Sequence, residues 1–293
     1  MALCRIPRGR NRCPAVQVLD ATQGASSGVQ PPLLRVSGAM VDLVAARADV
    51  VAMRSLDGGA TFGPQTAISH DTYFTGAIGR DGSVVLGNGP SFTRTSLSGP
   101  FEPRSVDLNR GYGSYQAVGF AGGRPVYVSG GAAPTTAVRR WTGRGDIFDP
   151  STWTKLRHGP AMVYYDLAEG PRGLWLSHER RVGSDDHVVV RRWRKGRFGA
   201  PRTIPGSAGN VLATAIAQDG RGRFAVAWYD SRRDAVRFAT SRKGRRWSRA
   251  RTIGRVDGLP STLAVGLARG RGLVAIDQGS RSKAVLVRRI RVR

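Results

Sequence analysis

The chain has 293 residues, 40% of them apolar, and no run approaches the roughly eighteen apolar residues of a membrane-spanning helix, so a disordered chain and a helical membrane span are both excluded. Its 46 basic and 20 acidic residues give a formal charge of +26, which raises nucleic acid as a partner. Nucleic acid is nevertheless not expected: only Lys155, Lys195, Lys243 and Lys283 are lysine, and the 42 arginines are spread through strand-like stretches (Arg191, Arg192, Arg237, Arg288, Arg289) instead of forming one arm or recognition helix.

From the N-terminus, Met1-Ala2-Leu3-Cys4 runs into Arg5 without an apolar stretch, so either the protein is cytosolic or its true start lies upstream. Cys4 and Cys13 are the two cysteines, and a disulfide closing that short loop is the economical reading; two free thiols are the alternative. The four histidines, His70, His158, His178 and His187, have no HxH or HExxH spacing, and neither a metal nor another cofactor is expected. Ala15-Val16-Gln17-Val18-Leu19 follows as a short strand.

A repeat organises the rest. Residues 55–68 read Ser-Leu-Asp-Gly-Gly-Ala-Thr-Phe-Gly-Pro-Gln-Thr-Ala-Ile, and glycine turns followed by an aromatic recur at 193–204 and 241–253. In each, an isoleucine stands six residues after the aromatic: Phe62 and Ile68, Phe198 and Ile204, Trp247 and Ile253. Weaker copies lie at 96–101 and 149–153. Phe62, Phe101, Trp153, Phe198 and Trp247 are 39, 52, 45 and 49 residues apart, the length of a four-stranded propeller blade. Between them Val84–Leu86, Pro125–Val128, Gly173–Leu176, Phe224–Trp228 and Gly272–Ile276 are short apolar runs bounded by turn residues, and no amphipathic helix of three turns is present. The spacing predicts one all-β domain over 1–293, a six-bladed β-propeller. A blade after Trp247 has only three strands left, so residues 14–20 are expected to supply its fourth and close the ring.

Residues 55–62 match the pattern Ser-x-Asp-x-Gly-x-Thr-Phe at every position, and here the chain resembles the Asp-box (BNR-repeat) proteins, the sialidase-like β-propellers, of which it would be a non-canonical member. Trp228-Tyr229-Asp230-Ser231-Arg232 is similar to a phrase common in their bacterial members. The resemblance implies a bacterial, extracellular protein, and a structural role for Ser55, Asp57, Gly59 and Phe62, with the Asp holding a glycine-rich turn and the aromatic packing between blades.

Loops joining second to third strands, and those entering first strands, should share the face opposite the Asp boxes. The candidate ligand-binding residues there are Arg110, Tyr112, Tyr115, Tyr164, Glu179, Arg180, Asp230, Arg232 and Arg233, a mixture that can hold carboxylates and stack on sugar rings. A sialidase needs more: the resemblance implies three arginines, a Tyr–Glu nucleophile pair and an Asp acid/base. Arg5-Ile6-Pro7 is similar to the family's Arg-Ile-Pro motif, but Cys4 replaces its aromatic, and no tyrosine follows Tyr229. No catalytic residue is therefore assigned. The expected function is binding of a glycan or other anionic ligand by a monomer, with an exo-alpha-sialidase as the alternative.

Closure is testable directly. Deleting residues 1–20 should expose a strand edge and cause aggregation or a large drop in melting temperature; a monomeric variant of unchanged stability would reject the closing strand.

Overall fold

A computed structural model describes residues 2–4, 16–18, 32–46, 49–69, 75–88, 91–97, 104–108, 115–130, 135–160, 162–256, 258, 260, 263–277 and 285–292. The protein is all-β, with six antiparallel sheets that are the blades of a β-propeller. One short 3-10 turn, Pro150–Thr152, is the helical element among the described residues. The chain forms two compact units, residues 1–74 with 95–103 and residues 75–94 with 104–293.

The first unit holds β1 (Ala2–Cys4) and β2 (Val16–Val18), paired antiparallel from Ala2↔Val18 to Cys4↔Val16. It also holds the first blade, in the order β3 (Leu33–Ser37), β4 (Met40–Ala46), β5 (Val50–Ser55) and β6 (Thr66–Ser69). The segment expected to close the last blade thus forms β2, whose described partner is β1, and its closing role stands as a proposal. Cys13 lies outside the described residues, as does Arg5.

The second unit carries five blades, except that Thr95 and Ser96, which end the third strand of its first blade, belong to the first unit. The second blade is β7 (Thr75–Ile78), β8 (Ser83–Asn88), β9 (Ser91–Ser96) and β10 (Ser105–Asp107). The third is β11 (Tyr115–Ala121), β12 (Arg124–Gly130), β13 (Thr135–Trp141) and β14 (Trp153–Pro160). In the fourth, β15 (Tyr165–Ala168), β16 (Trp175–Val182) and β17 (Asp185–Arg194) are completed by β18 (Arg197–Phe198) and β19 (Arg202–Thr203), both paired with β17. The fifth is β20 (Val211–Gln218), β21 (Phe224–Asp230), β22 (Ala235–Ser241) and β23 (Arg251–Arg255). The sixth has β24 (Leu263–Ala268), β25 (Arg271–Asp277) and β26 (Val285–Arg291). Each first strand packs beside the next: β7 with β11, β11 with β15, β15 with β20, β20 with β24.

The cores of this unit lie between blades. Along β21 the side chains alternate, as a strand requires. Phe224, Val226 and Trp228 pack with Trp175, Val188 and Val190 of the fourth blade. Ala225, Ala227 and Tyr229 pack with Val274, Ile276 and Ile290 of the sixth. Burial on both faces explains why 224–228 reads as a continuous apolar run. Repeat aromatics fill the same gaps: Trp153 meets Phe92 edge-on at 4.8 Å, and Trp247 lies 6.0 Å from Phe224.

Polar contacts tie neighbouring blades together. Asp219 Oδ2 accepts the Gly270 N–H at 2.8 Å, Gln218 Oε1 accepts that of Arg172 at 2.7 Å, and Asp166 Oδ2 accepts that of Ile216 at 2.8 Å.

The turn after β5 shows how the repeat motif works. Asp57 Oδ1 accepts the N–H groups of Ala60 and Thr61 at 2.8 and 2.9 Å and the Ser55 hydroxyl at 2.7 Å, while Oδ2 takes the Thr61 hydroxyl. Ser55 Oγ accepts the Gly59 N–H at 2.8 Å. The hydroxyl and N–H of Thr61, then Ser55, hold the carboxyl of Asp57 far below the ordinary carboxylate range. It is a turn clamp. Phe62 packs on Leu43, Val51 and Met53.

Sequence reading missed a charge triad in this blade. Arg35, Asp42 and Arg54 stand in register across β3, β4 and β5, and each arginine Nε donates to the fully buried Asp42, at 2.8 and 2.7 Å. Removing the carboxylate leaves two guanidinium groups without it, so Asp42→Ala should cost about 3 kcal/mol in chemical denaturation; a loss below about 1 kcal/mol would show the triad to be incidental.

Candidate functional site

The loops of the fourth and fifth blades form a polar cluster. The β16–β17 hairpin carries it: β16 pairs with β15 only as far as His178↔Tyr165, yet continues to Val182, turns at Gly183 and Ser184, and returns as β17. Gly183 adopts a φ of +63°, as a two-residue hairpin turn requires. Glu179 and Arg180, expected in a loop, are therefore strand residues, as is His178 before them. The true turn lies four residues further on, because Arg181↔Asp186 and Val182↔Asp185 extend the ladder past the sheet.

At the root of this projecting ladder, Glu179 fastens the loop entering β15. Its carboxylate accepts the N–H groups of Val163 and Tyr164, the latter at 2.8 Å, and the Glu179 N–H donates to the Tyr164 carbonyl. Burial pushes the Glu179 carboxyl up to about 7, against the pull of those N–H groups. Beside it His178 is fully buried; its Nδ1 donates to the Glu179 carbonyl and its Nε2 accepts the Arg191 Nε–H at 3.1 Å, which fixes the neutral ring. Burial, together with Arg191 and Arg180, pushes His178 down to about 4.

The facing wall is the β21–β22 hairpin, Ser231–Asp234, with the loop that enters β20. Gly209 and Asp186 exchange both backbone hydrogen bonds, at 2.9 and 3.0 Å, joining that loop to the projecting ladder. Asn210 donates to Ser231 Oγ at 2.7 Å. Asp230 is fully buried, with Arg233 NH1 at 2.5 Å, Arg237 NH1 at 3.5 Å and the Asn210 N–H on its carboxylate. A Cβ on residue 209 would stand 2.6 Å from the Asp230 oxygens, so glycine is required there. Tyr229 donates to Asp234 Oδ1 at 3.0 Å, and burial with this bond pushes its hydroxyl up to about 12. Arg232 reaches across to Asp185 Oδ1 at 2.6 Å.

Between the walls is a cavity of about 440 Å³ lined by Arg181, Ser184, Asp186, Asn210, Ser231 and Arg232. Of the candidate residues, Arg232 lines it, and Asp230 and Arg233 brace its wall. Tyr164 and Glu179 form the neighbouring half-buried anchor, and Arg180 is exposed on the ladder opposite His187. Arg110 and Tyr112 lie outside the described residues, as does the side chain of Tyr115, which opens β11. Sequence reading missed Arg181, Asp186 and Asn210; the Gly183-Ser184 pair was the available signal, since it marks a tight turn flanked by charge. Among the described residues no three His, Cys, Asp or Glu side chains gather as metal ligands.

No family model matches the chain, and no curated protein matches its sequence. Solved structures do match its fold. The Hadza microbial sialidase superposes with a TM-score of 0.57 at 11% identity, over 91% of this chain and 66% of that one. A mutant of AofleA from Arthrobotrys oligospora gives 0.54 at 10% identity, over 89% and 82%. A mutant of the Aleuria aurantia lectin, in complex with alpha-methyl-L-fucoside, gives 0.51 at 14% identity, over 89% and 93%. At these identities the likeness is one of fold, the six-bladed β-propeller.

Glu179 makes stability depend on pH. Its folded value lies above its ordinary one, so its contribution is fully present below about pH 4.5 and is lost as pH rises through about 7. In thermal unfolding of wild type and Glu179→Gln, the wild-type advantage should therefore shrink from pH 5 to pH 8, by on the order of 2 kcal/mol. His178, depressed to about 4, acts in the opposite sense but is common to both proteins. An advantage that grows with pH would show that the site favours the anion.

Proposed function

We propose that this propeller binds an anionic saccharide without cleaving it, in the cavity between the hairpins of the fourth and fifth blades. One observation carries the reading: Arg181 and Arg232 converge there with Asn210 and Ser231, while the neighbouring acids Asp185, Asp230 and Glu179 are engaged by other groups and Asp186 is the acid in the lining. Asp185 is held by Arg232, Asp230 is buried under Arg233 and Arg237, and both oxygens of Glu179 hold the loop entering β15. Arginine forks suit a carboxylate or sulfate, and Asn210, Ser231 and Asp186 suit sugar hydroxyls.

Hydrolysis by paired carboxylates needs two of them flanking the scissile bond, and the cavity lining offers Asp186 alone. No tyrosine nucleophile lines it either. The fold shared with a sialidase and with a lectin bound to a fucoside supports a saccharide as the ligand class. An extracellular, monomeric protein fits this role, and a Cys4–Cys13 disulfide would fit that compartment. No helix among the described residues is long and apolar enough to cross a membrane.

The test is calorimetric titration with sialyllactose and with neutral lactose. Sialyllactose alone should bind. Arg181→Ala with Arg232→Ala should weaken it tenfold or more, since charge-assisted hydrogen bonds contribute about 1.5–3 kcal/mol each. Arg194→Ala with Arg289→Ala, exposed arginines elsewhere, should change it less than about twofold. Equal losses from both pairs would mean general attraction to charge and would reject the site.

A further inference from the structure

At the other end of β22 lies a second basin with different chemistry. The strand runs from Ala235, beside the first cavity, to Ser241, about 20 Å away at 3.3 Å per residue. There a cavity of about 680 Å³ opens along the turn from β22 to β23. Arg242, Lys243, Arg245, Arg246, Arg251 and Arg291 line it, all six exposed, and no Asp or Glu is in its lining. None of the six has an ion-pair partner among the described residues. Six like charges around one concavity repel one another and focus a positive potential into it.

The turn itself is a modified copy of the one at 55–62. Ser241 keeps the part played by Ser55: its Oγ accepts the Gly244 N–H at 2.9 Å and donates to the Arg246 carbonyl at 2.6 Å. Gly244 is required, with φ +70° and a would-be Cβ only 2.4 Å from the Trp175 ring. Lys243, however, stands where Asp57 stands. Asp57 clamps two N–H groups and balances its own turn; this copy has exchanged that internal anion for a cation and placed arginines on both sides. The turn has thus lost its carboxylate, and Arg251 of β23 and Arg291 of β26 join its own four cations around the basin.

We propose that this basin binds a compact ligand carrying several tetrahedral oxyanions, that is, clustered sulfate or phosphate monoesters. Arginine meets such groups through paired N–H donors, and six cations without an acid in the lining call for more negative charge than a single carboxylate carries. Nucleic acid fits less well. Its bases need a series of aromatic platforms, whereas the lining offers the half-buried rings of Trp247 and Phe238, of which Trp247 is already packed near Phe224. The inference is independent of the proposed saccharide site, since it uses none of that site's residues.

Titration of the full chain with a heparin tetrasaccharide, inositol hexakisphosphate and a single-stranded DNA dodecamer tests it. The first two should bind, and whichever is tighter identifies the source as sulfated saccharide or phosphate ester. Arg242→Ser with Arg246→Ser should weaken that ligand at least tenfold, against less than twofold for Arg288→Ser with Arg289→Ser on β26. Lys243→Asp, which restores the carboxylate of the parent turn, should abolish binding while leaving the circular dichroism spectrum and sialyllactose affinity unchanged. Tighter binding of DNA than of both other probes, no binding of either, equal losses from both arginine pairs, or full affinity in Lys243→Asp would each overturn the proposal.

Discussion

The constraint on which the rest depends is that blades of the second unit bury both faces of a sheet against two neighbours. β21 meets it with large side chains toward the fourth blade and small ones, with Tyr229, toward the sixth. A sheet so placed has no solvated face on which to carry function. Polar chemistry is pushed out to the turns, and the two ends of the strands become the two surfaces available for ligands.

Those turns are fixed by the same burial. Asp230 ends β21 inside the structure, so it must be satisfied; Arg233 and the Asn210 N–H hydrogen-bond its carboxylate, with Arg237 as a second cation at 3.5 Å. That network sets the hairpin from which Arg232 projects, while the Asp186–Gly209 bridge sets the opposite wall. The phrase Trp228-Tyr229-Asp230-Ser231-Arg232 is thereby resolved into five duties: two core faces, one buried brace, one hydrogen-bond partner and one cation at the cavity. A pre-formed cavity of this kind loses little entropy when a ligand binds.

What was legible in the sequence was what local physics decides. Apolar runs between glycine turns became strands, and the spacing of Phe62, Trp153, Phe198 and Trp247 marked the blades, because strand alternation and turn chemistry act over a few residues. The His178–Arg180 segment was misread because its polar residues look like a loop, whereas cross-strand pairing with 187–189 extends the ladder. Arg181 and Asn210 could not be brought together from sequence, since only the Asp186–Gly209 bridge joins their segments. Nor could the triad of Arg35, Asp42 and Arg54, which depends on the register of three strands. The basic turn at 241–247 was visible as a degenerate repeat, but which residues line the basin beside it, with no Asp or Glu among them, is a property of the folded surface.

The central claim is that rigid turns at one end of these blades hold an acidic saccharide and leave it intact. The most direct measurement is an array of acidic and neutral glycans probed with the full chain, followed by mass spectrometry of the retained saccharides. The account predicts signal on sialylated or uronate-bearing glycans, recovered unchanged after prolonged incubation. Retention of neutral glycans alone, or recovery of cleaved products, would contradict it.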